Sequence, residues 1–110
     1  MSGWFPLSER SVRSHTWRGW PGVYRLAHSP YGSPVRYIGR SDTSVRRRLL
    51  RHVREGVYDY FYVEHKETPP DAFERECNLF HYYRDELHNE THPGRPRGYR
   101  GQCPRCSEFR

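Results

Sequence analysis

Hydrophobic and polar residues alternate along two short runs, Val23 to His28 and Val35 to Gly39. The segment between them, Ser-Pro-Tyr-Gly-Ser-Pro, contains the glycine and prolines that form turns, so the pattern predicts a β-hairpin. A third run, Val57 to His65, consists mainly of β-branched and aromatic residues, a composition typical of strands. We therefore expect a small, mainly antiparallel, three-stranded sheet.

A longer hydrophobic period, of three to four residues, predicts two helices after the hairpin. The first should cover about residues 44–55, follow a cap supplied by a serine, threonine or aspartate, and end at Gly56. The second should run from about residue 70 to residue 87, with Thr68 as its cap and a proline at its first position. Helices that flank an antiparallel sheet make an α+β fold.

The chain has 110 residues, which is enough for one domain with a single modest core. We expect an N-terminal arm over residues 1–20, with a short helix capped by Ser8, a core over residues 21–89, and a tail over residues 90–110. The three tryptophans of the arm are expected to pack as a lid on the edge of the domain: Trp4, Trp17 and Trp20.

Charge points to a polyanionic partner. The formal net charge is +6, and Lys66 is the only lysine among 19 basic residues. An arginine guanidinium can donate two hydrogen bonds to two oxygens of one phosphate, so the excess of arginine over lysine favours nucleic acid as the partner. A charged surface exposed only to solvent would have the same composition. No apolar run is long enough to span a membrane, and the first residues lack the features of a secretion signal. We therefore expect a cytoplasmic or genome-associated protein with no membrane partner.

The hairpin carries a specific motif. Its strands contain Gly22-Val23-Tyr24 and Tyr37-Ile38-Gly39, which resemble the two halves of the signature of the GIY-YIG nucleases. This resemblance implies the fold of that family and a metal-dependent endonuclease that hydrolyses DNA phosphodiesters. It also implies that Tyr24, oriented by Tyr37, removes a proton from the attacking water.

The first helix extends the resemblance. In the family, an apolar residue, two variable residues and then an arginine follow the second tripeptide, and some members add a histidine one turn later. Val45-Arg46-Arg47-Arg48 and His52 match this order. A longer preceding loop leaves Arg47 as the alternative, but only Arg48 keeps the apolar anchor at the right spacing, so we assign Arg48 to the scissile phosphate and His52 to a proton relay.

Other arginines near this helix are expected to bind nucleic acid rather than to react: Arg40, Arg47 and Arg51.

The second helix supplies a carboxylate. Glu76 shares a face with Ala72 and Leu79, so it lies on the side facing the sheet, where an unpaired charge would be costly. The family's third motif is an alanine-led helix whose glutamate, four residues on, binds Mg²⁺ or Mn²⁺, and Glu76 matches it. The resemblance places the motif's asparagine at Asn89, where it either ties the helix end to the hairpin or touches the phosphate.

The tail contains a second group of metal ligands. Cys103 and Cys106 have the C-x₂-C spacing of a zinc knuckle. Cys77 and His81, four residues apart on the second helix, can complete a tetrahedral site, and His92 is the alternative fourth ligand. Three cysteines argue against a disulfide framework. We therefore expect a structural zinc ion that fastens the tail to the core.

Two other functions fit parts of this pattern. A non-catalytic, zinc-stabilised nucleic-acid-binding module would keep the arginines and the zinc ligands without needing the tyrosines, Arg48 and Glu76 together. A His-Asn-His nuclease also combines histidines, an asparagine and zinc, but His81, Asn89 and His92 are too close together for its motif. For any nuclease this small, we expect target choice to come from a protein partner or an oligomer.

Overall fold

The computed structural model describes residues 3–89 and 91–109, so Glu90, the first residue of the expected tail, lies outside the described part, as do residues 1, 2 and 110. Its strands and helices are, in chain order, β1 Phe5–Pro6, α1 Glu9–His15, β2 Gly22–Ala27, β3 Val35–Ser41, α2 Val45–Glu55, β4 Tyr60–His65 and α3 Pro69–Tyr83, followed by a 3₁₀ turn at Arg84–Glu86.

The sheet is antiparallel, with strand order β1-β4-β2-β3. The predicted α+β class is confirmed. The sheet has four strands instead of the expected three, because β1 pairs with β4. β1 is only two residues long and includes Pro6, so it carries no alternation that a pattern could detect. Proline is tolerated there because β1 lies at the edge of the sheet, where one row of N–H groups needs no partner.

Helices cover both faces of the sheet. On one face, α1 and α2 pack against Tyr24, Leu26 and Phe61, while on the other α3 packs through Leu79 against strand residues that include Val23. Because β2 lies between β4 and β3 and is covered on both sides, nearly every residue in it is buried. Consecutive residues of β2 therefore point to opposite cores, and Tyr24 faces α2.

Local capping chemistry sets the helix starts as the sequence predicts. The Ser44 hydroxyl accepts from the Arg47 amide at the start of α2, and Gly56 ends that helix in the left-handed conformation, with φ of 68°. The Thr68 hydroxyl caps α3 in the same way. Among the described residues, no helix combines the length and apolar character needed to cross a bilayer.

The end of α3 differs from the expectation of a helix to residue 87. The helix stops at Tyr83, tightens into the 3₁₀ turn, and becomes extended at Leu87, which packs in the α3-side core. This change of direction brings the following residues alongside the free edge of β3, where the His88 amide donates to the Arg36 carbonyl over 2.6 Å.

Asn89 completes this edge contact with its side chain. Its Nδ2 donates to the Ile38 carbonyl over 2.8 Å, and its Oδ1 accepts from the Ile38 amide over 3.0 Å. The amide therefore satisfies both backbone groups of an edge residue, as a neighbouring strand would. Of the two roles considered for Asn89, the structure displays the tie between the helix end and the hairpin.

Replacing Asn89 by alanine should lower the free energy of unfolding by about 1–3 kcal/mol, because two hydrogen bonds to the half-buried edge of β3 are lost. Denaturant melts followed by circular dichroism measure this loss. Asn78→Ala on α3 is the matched control and should change stability by less than about 0.5 kcal/mol. Equal stability of both variants would contradict a structural role for Asn89.

Candidate functional site

The two motif tyrosines lie on adjacent strands, with nearly parallel rings whose centroids are 6.3 Å apart. Tyr24 is 1% exposed, and Gly39 lies directly opposite it on β3. A Cβ atom at position 39 would overlap the Tyr24 phenol, and one at Gly22 would come within 2.7 Å of the Glu64 carbonyl. Gly39 is therefore required by the Tyr24 ring, and Gly22 by the close approach of Glu64 and Val45.

Tyr24 begins a chain of polar groups that leads into α2. Its hydroxyl is 2.8 Å from Nε2 of His52, and Nδ1 of His52 is 3.0 Å from Oε1 of Glu55. Because an ionised carboxylate only accepts, Nδ1 carries the imidazole proton and Nε2 accepts from the Tyr24 hydroxyl. Sequence reasoning had found His52 but missed Glu55, whose signal is its position one turn after the histidine.

Burial determines the protonation states of Tyr24 and His52 in this series of hydrogen-bonded groups. It raises the pKa of Tyr24, with a further contribution from Tyr37, while the positive charge of Arg48 acts in the opposite direction. Burial also lowers the pKa of His52, which Glu55 opposes. At neutral pH the phenol is therefore protonated and the imidazole neutral, so His52 can accept a proton that Tyr24 cannot release to water by itself.

An electropositive groove of about 270 Å³ opens beside the start of α2. We call it the arginine groove, and it is lined by Ser41, Thr43, Ser44, Arg47, Arg48, Arg51 and Arg54. Within the described residues the Arg48 guanidinium has no ion-pair partner. Its charge shifts the pKa values of Tyr24, His52 and Glu76, so it lies within electrostatic range of all three.

Glu76 is buried and paired. Its side chain is 12% exposed, and its Oε1 accepts from Nη1 of Arg40 over 2.8 Å. Arg40 also binds Asp42 over 2.7 Å and the Gly94 carbonyl over 2.8 Å. Arg40, expected to bind nucleic acid, is thus enclosed among protein acceptors, and it supplies the charge partner that the sequence analysis had assigned to a metal alone.

Arg40 does not fully offset the burial of this carboxylate. Burial raises the pKa of Glu76 to about 7, although Arg40 opposes the shift. A second cation would favour the ionised form, and Mg²⁺ often binds through one protein carboxylate while it keeps several waters. The negative charge of Glu76 also raises the pKa of Tyr24, so the carboxylate lies within electrostatic range of the phenol. These residues therefore fit one hydrated divalent cation.

A separate group of ligands lies between α3 and the tail. Side-chain ligand atoms of four residues, which we call the His/Cys cluster, lie within 4.8 Å of one another: His81, His92, Cys103 and Cys106. The two histidine Nε2 atoms are 3.3 Å apart, and the Nε2 of His92 is also 3.3 Å from the Cys106 sulfur. A tetrahedron with metal–nitrogen bonds of about 2.0–2.1 Å has a nitrogen–nitrogen edge of about 3.3–3.4 Å. The cluster can therefore hold a metal ion.

Backbone groups around the His/Cys cluster suit this role. His92 Nδ1 donates to the Pro93 carbonyl over 2.8 Å, which leaves its Nε2 lone pair directed at the cluster. The Arg105 and Glu108 amides donate to the sulfurs of Cys103 and Cys106. Burial by itself would raise the pKa of the Cys103 thiol, but the bond from the Arg105 amide and hydrogen bonds with the side chains of His92, Cys77 and Cys106 outweigh it and lower the pKa to about 7.

Cys77 was expected among the metal ligands, but His92 takes the fourth position in the structure. The Cys77 side chain is fully buried in a small core with Phe73 and Cys103. Burial raises its pKa, as does its contact with Cys103. His81, four residues later on the same helix, does belong to the His/Cys cluster, whereas Cys77 packs against Phe73. His81 and His92, treated as alternatives, converge together.

Comparisons of the chain with protein-family models, curated proteins and solved structures give no match. The function of this chain is therefore inferred from its residues and their arrangement.

Proposed function

We propose that this chain is a divalent-metal-dependent DNA endonuclease of the GIY-YIG type. The observation that carries the proposal is the buried hydrogen bond from Tyr24 to His52. The Arg48 guanidinium, which forms no ion pair with a described residue, and the Glu76 carboxylate both lie within electrostatic range of this tyrosine. Together these groups offer a base that can accept the tyrosine proton and a positive charge within electrostatic range of the phenol. Phosphodiester hydrolysis needs both a proton acceptor and a neutralising charge.

In the proposed reaction, different side chains of the protein transfer protons and stabilise charge. Water attacks phosphorus and gives its proton to the Tyr24 oxygen, while the Tyr24 proton moves to His52 Nε2. Glu55 stabilises the imidazolium that results. One phosphorus–oxygen bond forms as the bond to the leaving oxygen breaks, and Arg48 offsets the charge that accumulates on the phosphoryl oxygens.

Mg²⁺ or Mn²⁺ held by Glu76 supplies Lewis-acid stabilisation of the phosphate and the leaving oxygen when bound. Arg40 donates to one oxygen of the Glu76 carboxylate and would position this side chain when it holds the cation. A single carboxylate predicts weak metal binding in the absence of DNA, because the substrate phosphate supplies a further ligand.

DNA enters along the arginine groove. Arg47 is exposed, and Arg51 makes only a long, solvent-accessible contact of 3.7 Å with Glu55. Both can therefore turn to phosphates next to the one at Arg48. With a net charge of +6, binding should weaken steeply as salt rises, because each neutralised phosphate releases counterions.

The His/Cys cluster holds structural zinc in this proposal. Two thiolates and two imidazoles are a common zinc ligand set, and no position is left open for a substrate. The ion fastens the tail to α3, five residues beyond Glu76. The same tail segment contributes the Gly94 carbonyl that binds Arg40, so the zinc loop also supports the Arg40–Glu76 pair.

Glu76→Gln should reduce cleavage by roughly 100- to 1,000-fold, because the neutral amide holds the divalent cation poorly. The assay uses single-stranded, duplex and branched DNA with Mg²⁺ or Mn²⁺. Glu74→Gln, an exposed neighbour on α3, is the matched control and should cleave at the parent rate. If the parent leaves every substrate intact with either metal while still binding it, the non-catalytic binding module is correct.

Glu55→Gln should change the pH dependence of cleavage. Glu55 raises the pKa of His52, so its loss lowers that pKa and moves the acidic limb of the rate profile to lower pH. The plateau rate should also fall, since the imidazolium loses its carboxylate, whereas KM should stay unchanged. Glu67→Gln, at an exposed position in the loop between β4 and α3, is the control. An unaltered profile in Glu55→Gln would rule out this positioning role.

Purified protein should contain one zinc ion per chain by elemental analysis. His92→Ala should lose the ion and lower the melting temperature, while Cys77→Ala should keep it. The opposite result, zinc lost from Cys77→Ala and retained in His92→Ala, would restore the ligand set that the sequence alone suggested. A parent protein without zinc, prepared without chelator, would discard the structural zinc site.

A further inference from the structure

Two tryptophans stand out between α1 and β2. Trp17 is 56% exposed and Trp20 is 37% exposed, although both were expected to pack against the domain as a lid. Their rings meet edge to face, with centroids 5.0 Å apart. Large apolar side chains grouped at the surface commonly mark a place where a ligand or partner binds. We call this pair the tryptophan platform.

The platform is held in a fixed position. One face of Trp17 stacks on His65 at 4.2 Å, and the Trp17 amide donates to Nε2 of the same histidine over 2.9 Å. Arg46 on α2 fixes the end of α1, just before Trp17, by donating hydrogen bonds to the Thr16 hydroxyl and the Arg13 carbonyl. Trp17 is therefore fixed by its neighbours while more than half of it stays exposed to solvent.

The platform borders the arginine groove. The Trp20 carbonyl accepts from the Val45 amide over 2.9 Å, at the first residue of α2. Ser44, the cap of that helix, lines the groove together with Arg47. A DNA strand whose phosphates lie in the groove would thus pass close to the tryptophans.

We propose that the tryptophan platform stacks unpaired bases of a DNA strand whose phosphates lie in the arginine groove, so that the preferred substrate contains a single-stranded segment. The DNA class rests on the proposed function. Only unpaired bases offer a free face, because the bases of a duplex are stacked on each other. Aromatic side chains beside a basic groove are the usual means of holding single strands, and each stacked base contributes binding energy independent of its sequence.

The test compares oligo-dT with an abasic oligonucleotide of the same length, which keeps the phosphates and lacks the bases. Binding is measured by fluorescence anisotropy without added divalent cations or chelator, so cleavage plays no part and a failed nuclease assay leaves the result readable. The parent should bind oligo-dT about tenfold more tightly than the abasic strand. Trp17→Ala should remove that preference and leave abasic binding unchanged.

Two further variants make the test decisive. Tyr31→Ala removes an 81% exposed aromatic residue in the loop at the opposite end of the hairpin, and it should keep the tenfold preference. Trp17→Tyr preserves a stacking ring and should also keep it, which separates stacking from any loss of folding in Trp17→Ala. The proposal is overturned if the parent binds both strands equally, or if Trp17→Ala retains the preference.

Discussion

Polar groups buried at the sheet must find partners, and this constraint determines how the helices are fixed to it. The Tyr24 hydroxyl on β2 finds His52 on α2, and the Glu76 carboxylate on α3 finds Arg40 on β3. Each pair crosses between elements, so an incorrect position of either helix would leave a buried polar group unsatisfied, at a cost of about 1–3 kcal/mol or more. The same contacts place the reactive groups of the proposed site.

The tail takes part in this arrangement through one carbonyl group. Arg40 is held at once by Glu76, by Asp42 and by the backbone of Gly94. Gly94 lies between His92 and the C-x₂-C turn, which meet at the His/Cys cluster. Loss of a metal from the cluster would therefore free not only the tail but also one of the three acceptors that hold Arg40 against Glu76.

The many arginines have two different functions in the fold. Some are committed to internal partners, as Arg25 is to Glu64 and Arg46 is to the turn after α1. Others, above all Arg47 and Arg48, line the groove without ion pairs to described residues. Net charge alone suggested a polyanionic ligand, but only this division identifies which part of the surface can receive one.

Local sequence determined the hairpin and both main helices with their Ser44, Thr68 and Gly56 boundaries, because capping and periodicity act between residues close in the chain. The tyrosine, histidine and glutamate of the candidate site were predicted from a family resemblance, and their roles stay predictions. Tertiary structure alone decided that Arg40 pairs with Glu76, that His92 replaces Cys77, and that β1 joins β4. These contacts depend on which residues, distant in sequence, become buried together. Neither the spacing of residues nor the composition of the chain predicts that.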